Sequence, residues 1–160
     1  MKLLLLLLIV VPVLVLIAGR LGLLKGQAPE NLGVRDGRMP PPSRTPNSVS
    51  SQAGLHDAQR YAVDYARIEP LRFNGDGAAA LQRLLRIVAD VPGAQVIEAK
   101  PDYLYVQFTT RWLKFVDDAE FWLAPAEGVI HVRSASRIGR KDFGANRARI
   151  EAIRARFAAG

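Results

Sequence analysis

Between Val132 and Phe157 the sequence reads VRSASRIGRKDFGANRARIEAIRARF, eight basic residues against two acids, Asp142 and Glu151. Ser134 and Ser136 open this stretch, and two adjacent carboxylates, Asp117 and Asp118, lie upstream. Arginine forks suit carboxylate and phosphate, and helix N-termini favour negative charge. Arg133, Ser134, Ser136, Arg137, Asn146, Arg147 and Asp117 therefore form a candidate anion-accepting notch at the start of a C-terminal helix. The alternative is internal: Asp142 caps that helix and the arginines neutralise the chain's own carboxylates.

Catalysis finds less support. Neighbouring residues on a strand point to opposite faces, so Asp117 and Asp118 cannot work as a carboxylate pair. Either one, with an arginine to stabilise developing charge, leaves a hydrolase as the alternative function. Ser134 and Ser136 lack a base, because His131 is expected on the other face. There is no cysteine, and the two histidines, His56 and His131, are far apart in sequence. No metal site, no cofactor and no assembled catalytic set are expected.

The net charge of +7 is concentrated in one segment, since residues 133–156 carry +6 of it. Such a segment suggests nucleic acid, but no helix-turn-helix is present, and Phe143 and Phe157 make no stacking platform. No nucleic-acid partner is expected.

The elements that must position these residues follow from periodicity. KFVDDAEFWLAPAEGVIHVRSASR reads as a hairpin turning at Pro125–Gly128. With Pro125 opposite Gly128, Asp117, Ala119, Phe121 and Leu123 share a face with Ser136, Ser134, Val132 and Ile130. That face is apolar toward the turn and looks inward. Asp117, Ser134 and Ser136 then point inward at the far end, where an unpaired carboxylate would cost several kcal/mol, on the order of the burial penalty for a charge. The expected partners are the two serines and an arginine of the last helix, such as Arg147, in either a polar lock or a ligand pocket. On the other face Glu120 meets Arg133 as a structural ion pair. Upstream, RYAVDYARIEP reads as a strand, Asp76 caps a helix stopped by Pro92-Gly93, and AQVIEAKPDYLYVQFTTRW holds two strands joined near Pro101-Asp102. The last helix runs from about Asp142, with Ile150, Ile153 and Phe157 inward. The expected fold is α+β, a mainly antiparallel sheet of about five strands with two packed helices.

Before this domain, Leu3 to Gly19 is an uncharged run of 17 residues. Continued through Leu24, it is long enough for a transmembrane helix, and it exceeds a signal-peptide core. Residues 1–25 are expected to be a membrane anchor in the bilayer through residues 3–24. Residues 26–52, rich in Pro, Gly, Ser and Asn, are expected to be a flexible linker, and residues 53–160 the globular domain. The short N-terminal tail argues for a signal anchor, with the domain on the periplasmic side of the inner membrane. The expected role is a binding or scaffolding module for an anionic envelope ligand or partner protein.

The strings PNSVSS, FVDDAEFWL, VIHVRSASRIG and DFGANRARIEAIR resemble a bacterial and plastid family known as domain of unknown function 1499. The resemblance covers most of the chain after the anchor and is strongest from Phe115 to Arg154. It implies a small, typically membrane-anchored or exported domain with no established activity. The chain departs from the family pattern at Ser48 and near Pro41, where relatives carry cysteine. It departs again at Arg140-Lys141, where relatives carry Tyr-Ser. Roles that rest on those thiols cannot operate here.

Overall fold

The computed structural model describes residues 2–159, with side chains from residue 6 onward. The first helix, α1 (Lys2–Arg20), contains Pro12 and leaves Leu8, Ile9 and Leu14 more than half exposed. Among the described residues no helix is long and apolar enough to cross a membrane.

Six strands form one antiparallel sheet: β1 (Ser48–Ser50), β2 (Leu71–Arg72), β3 (Ala94–Ala99), β4 (Tyr103–Thr109), β5 (Val116–Ala124) and β6 (Val129–Ser136). The order is β1-β6-β5-β4-β3, and β2 shares the outer edge of β6 with β1. The β5–β6 hairpin has the register the turn dictates, with Asp117 opposite Ser136 and Leu123 opposite Ile130. A short 3-10 turn over Pro125–Glu127 and left-handed Gly128 close it, glycine tolerating φ 66° without a Cβ clash.

Helices cover one face. In α3 (Gly77–Ala89) the Asp76 side chain accepts the Ala78 N–H at 2.8 Å, and Leu81, Leu84 and Val88 face the sheet. In α4 (Ala145–Ala158), Ile150, Ile153 and Phe157 recur at helical spacing and are buried. They pack with Leu104, Val106, Phe108, Phe121, Ile130 and Val132 into one core. The α+β class therefore holds, with six strands in place of about five.

Two expectations fail. The segment RYAVDYARIEP is not a strand: Val63–Ala66 forms a single helical turn, α2, Arg67 makes an isolated bridge to Ser50, and the next strand begins at Leu71. Its alternation of Tyr61, Val63 and Tyr65 reflects no pleated face, because Val63 and Ala66 are the residues that go inward, a helical spacing of three. Nor are residues 26–52 a free linker. Ser48–Ser50 pairs with Ala135–Arg133, and Met39, Val49 and Gln52 are buried. Gln52 explains the ordering, since its carboxamide accepts Met39 N–H at 2.8 Å and donates to Gly37 O at 3.0 Å. The domain thus starts well before residue 53, and the Pro-rich chain is a cover laid over the sheet's second face.

Candidate functional site

The candidate notch residues divide between the two faces of the sheet. On the helical face, Asn146 is wholly buried and occupies the centre of a polar network. Its Oδ1 accepts the Ser134 hydroxyl at 2.5 Å and Arg149 Nη1 at 3.1 Å. Its Nδ2 donates to Ser136 Oγ and Asp142 Oδ2, both at 3.0 Å, and to Asn47 O at 3.3 Å. Asp117 does point to this side, as alternation requires. Its partner is Arg149 at 2.6 Å, with the guanidinium 4.6 Å from the Phe108 ring centroid. The partner is thus an arginine of the last helix, but Arg147, the example expected, is turned away and donates to the carbonyls of Arg67 and Tyr65. The helical offset explains the exchange, since residues two apart on a helix lie on nearly opposite sides.

Asp142 precedes the helix it was expected to begin. Phe143 and Gly144 both take left-handed φ, 53° and 84°, so the helix starts at Ala145. The Asp142 carboxylate still serves that start, accepting Gly144 N–H and Asn146 N–H at 3.1 Å each and the Tyr65 hydroxyl. Burial raises its pKa, but the bonds from Tyr65, Gly144 and Asn146 outweigh that and hold it below the ordinary carboxylate value.

On the opposite face the buried charges are also paired. Arg137 clasps Asp118 through two bonds of 2.7 Å, and the Tyr105 hydroxyl donates to the same carboxylate at 2.5 Å. The charge-assisted bonds to Asp118 hold Arg137 still more firmly protonated than a free arginine. Glu120 takes Arg133 at 3.3 Å, the Tyr103 hydroxyl at 2.8 Å and Gly33 N–H at 2.6 Å. Burial first, then the Glu120 charge, raises the Tyr103 pKa well above that of a free phenol. The Glu120–Arg133 pair forms at the facing positions of the hairpin, and Glu120 is wholly buried beneath the N-terminal cover.

These partnerships decide against the notch. Arg133 and Arg137 lie across the sheet from Ser134, Ser136, Asn146 and Arg147, so the seven residues do not converge. Asp117 and Asp118 are each held by an arginine and nearly free of solvent, which leaves no place for the substrate of a hydrolase built on them.

A cleft of about 770 Å³ lies elsewhere, beside the edge of β6. Residues 36–38 and 50–55 form one side, Arg67–Glu69 and α4 residues Arg147 and Glu151 the other, and Glu127 and His131 complete it. Three arginines (38, 67 and 147) are set against four acids (Asp36, Glu69, Glu127 and Glu151), so the lining carries both signs. Ser51 Oγ lies 3.0 Å from His131 Nδ1, and Nε2 lies 3.2 Å from Glu127. A carboxylate can only accept, so the Nε2 N–H donates to Glu127, and the Ser51 hydroxyl also donates to Val132 O at 3.3 Å. Ser51 Oγ also accepts Val132 N–H at 3.0 Å, while Ser51 N–H donates to Val132 O at 2.9 Å. The serine therefore clasps the end of β1 to β6. Trp122 stacks on the imidazole at 5.4 Å and steadies its other side.

Sequence reasoning missed Ser51, Arg38 and the Glu127–His131 pair. Ser51 and Arg38 fell in the supposed linker, and only the fold places them against the hairpin end. The family model described as Protein of unknown function (DUF1499) matches residues 38–157. The chain belongs to this family. The matched region begins at Arg38, inside the N-terminal cover, so the cover from Arg38 onward is part of the DUF1499 domain. No curated protein matches the chain, and no solved structure does.

Proposed function

We propose that this DUF1499 chain is a membrane-tethered binding module whose cleft at the β6 edge receives a segment of a partner protein. The cleft carries the reading: it offers about 770 Å³, and its lining presents cations and anions together with a histidine. A peptide offers both donors and acceptors along its backbone and both charge signs in its side chains, whereas a purely anionic ligand would meet four carboxylates. The anionic-ligand expectation therefore gives way to a polypeptide partner. A serine hydrolase is a poorer reading, because Ser51 is tied to the Val132 backbone and Glu127 is exposed.

The tether rests on α1. Its apolar side chains are exposed around the helix, and a helix apolar all round normally lies in protein or lipid. With Leu21 to Leu24, and broken only by Arg20, the apolar stretch reaches the length of a bilayer span. Signal-anchor logic puts the domain on the periplasmic side of the inner membrane, which a phosphatase fused after Gly160 reports by being active only there.

A peptide library selected on the full chain in nanodiscs tests the binding. Recovered peptides should bind saturably, and charge reversal at Arg38 and Glu151, both exposed in the cleft, should weaken them at least about tenfold, the effect of losing ~1.4 kcal/mol. Peptides indifferent to both reversals would refute the cleft as the site.

A further inference from the structure

Where α1 ends, two loops close around it. A Cβ on Gly19 would lie 2.6 Å from Leu113 O, and one on Gly26 would lie 2.7 Å from Arg137 Cβ and 2.9 Å from Ile138 Cγ1. Glycine at these positions lets the chain press against residues 110–115 on one side and 137–144 on the other. Both loops leave the same end of the sheet, since Arg137 N–H donates to Val116 O at 3.1 Å. This is the end opposite the β5–β6 turn that carries Glu127.

The side chains displayed there are of one kind. Trp112 is 58% exposed, Ile138 41% and Phe143 95%. Arg111 and Lys114 flank Trp112 in the first loop, Arg140 and Lys141 lie between Ile138 and Phe143 in the second, and Arg20 ends α1 with Lys25 just beyond it. Asp142 is the one acid in either loop, and its carboxylate is consumed by Tyr65, Gly144 and Asn146. The first loop is held in shape: Thr110 N–H donates to Phe115 O at 2.9 Å, and Thr110 Oγ1 accepts Phe115 N–H at 3.0 Å. Arg111 lies 4.9 Å from the Trp112 ring centroid. Ordered loops that expose aromatics ringed by cations, and carry no free acid, suit neither water alone nor a second protein of like charge.

We propose that this rim docks flat on an anionic phospholipid surface. Trp112, Ile138 and Phe143 enter the headgroup region, and the surrounding Arg and Lys side chains meet lipid phosphates. The inference rests on the tether reading, because α1 is what delivers this end of the domain to the bilayer. Tryptophan partitions to the membrane–water boundary, and basic side chains near an anionic leaflet add attraction that decays within a Debye length. Docking fixes the domain's orientation and leaves the Glu127 end turned away from the lipid.

The test uses the full chain carrying Trp122→Phe, which leaves Trp112 as the sole tryptophan. It is reconstituted into vesicles of phosphatidylglycerol and phosphatidylethanolamine, with or without lipid brominated near the headgroup. Trp112 emission should be quenched by the brominated lipid and protected from aqueous iodide. Adding Arg111→Glu and Lys114→Glu should lower the docked-to-undocked ratio at least about tenfold, as should replacing the anionic lipid by phosphatidylcholine. Chain that stays in the vesicles through an alkaline wash while Trp112 is unquenched and open to iodide overturns the docking alone. Chain released by the wash overturns the tether, and the docking with it.

Discussion

Asn146→Ala removes the side chain on which the start of α4 is fastened to the sheet. The substitution leaves the Ser134 hydroxyl, 0% exposed, without its partner, and it deprives Asn47 O and Ser136 Oγ of a donor. An unsatisfied buried polar group costs about 1–3 kcal/mol, and two or three that share one space do not add fully, so a loss of about 3 kcal/mol is expected. That is a large part of the roughly 5–15 kcal/mol that stabilises a domain. Urea unfolding of the full chain in detergent measures it, with the slope of the transition unchanged. Ser134→Ala is the control: Asn146 Oδ1 keeps its bond from Arg149, so this variant should cost only about 1 kcal/mol. In the double variant no orphaned hydroxyl remains, and the loss should fall short of the two single losses by about 1 kcal/mol. A single-variant loss under about 1 kcal/mol, or strict additivity, would refute the network as a lock and imply that the cavity fills with water at no cost.

Two further outcomes separate the arginines and the acids. Arg149→Met strands the nearly buried Asp117 carboxylate and should cost about 3 kcal/mol, whereas Arg147→Met loses bonds to two carbonyls and a contact with the Tyr65 ring and should cost about 1 kcal/mol. Thermal unfolding of the pair gives the order, and a larger loss for Arg147 would contradict the assignment of the Asp117 partner. The Asp142 carboxyl is held below its ordinary value of 3.8, so its stabilisation is complete above that pH and is lost as pH falls through the folded-state value. Asp142→Asn should therefore narrow its melting gap to the parent between about pH 6 and about pH 3, and a constant gap would show that the charge contributes nothing.

The hairpin was legible because period-2 geometry plus one turn sets every facing pair, and Asp117, Ser134, Glu120 and Arg133 fall where that arithmetic puts them. The two helices were legible because Asp76 and the Leu81–Leu84–Val88 and Ile150–Ile153–Phe157 faces are local signals. What escaped was non-local. Arg149 in place of Arg147 is decided by about 200° of helix rotation, which a helix start misplaced by three residues at Asp142 was enough to obscure. The buried strand Ser48–Ser50 sits in a Pro- and Ser-rich run whose composition says linker, and only the edge of β6 makes it a strand. The cleft was invisible for the same reason, because Arg38 and Ser51 on the cover meet Glu127 and His131 on the hairpin only after folding.

The basic C-terminal stretch was the feature most suggestive of a ligand, and tracing each cation shows why it misleads. Arg133, Arg137 and Arg149 are held by Glu120, Asp118 and Asp117. Arg147 and Arg154 donate to the carbonyls of residues 65, 67, 69 and 70, and Arg156 reaches Asp90. Six of the eight cations are therefore spent on joining α4 and the hairpin to the rest of the domain. A carboxylate or carbonyl turned inward needs such a partner, and guanidinium, with five donors on a planar fork, serves several at once. The exposed pair left over, Arg140 and Lys141, lies in the loop beside the end of α1. Charge that looks like a ligand site in the sequence is thus mostly internal mortar, and its unpaired remainder falls on the rim where the domain meets its helix.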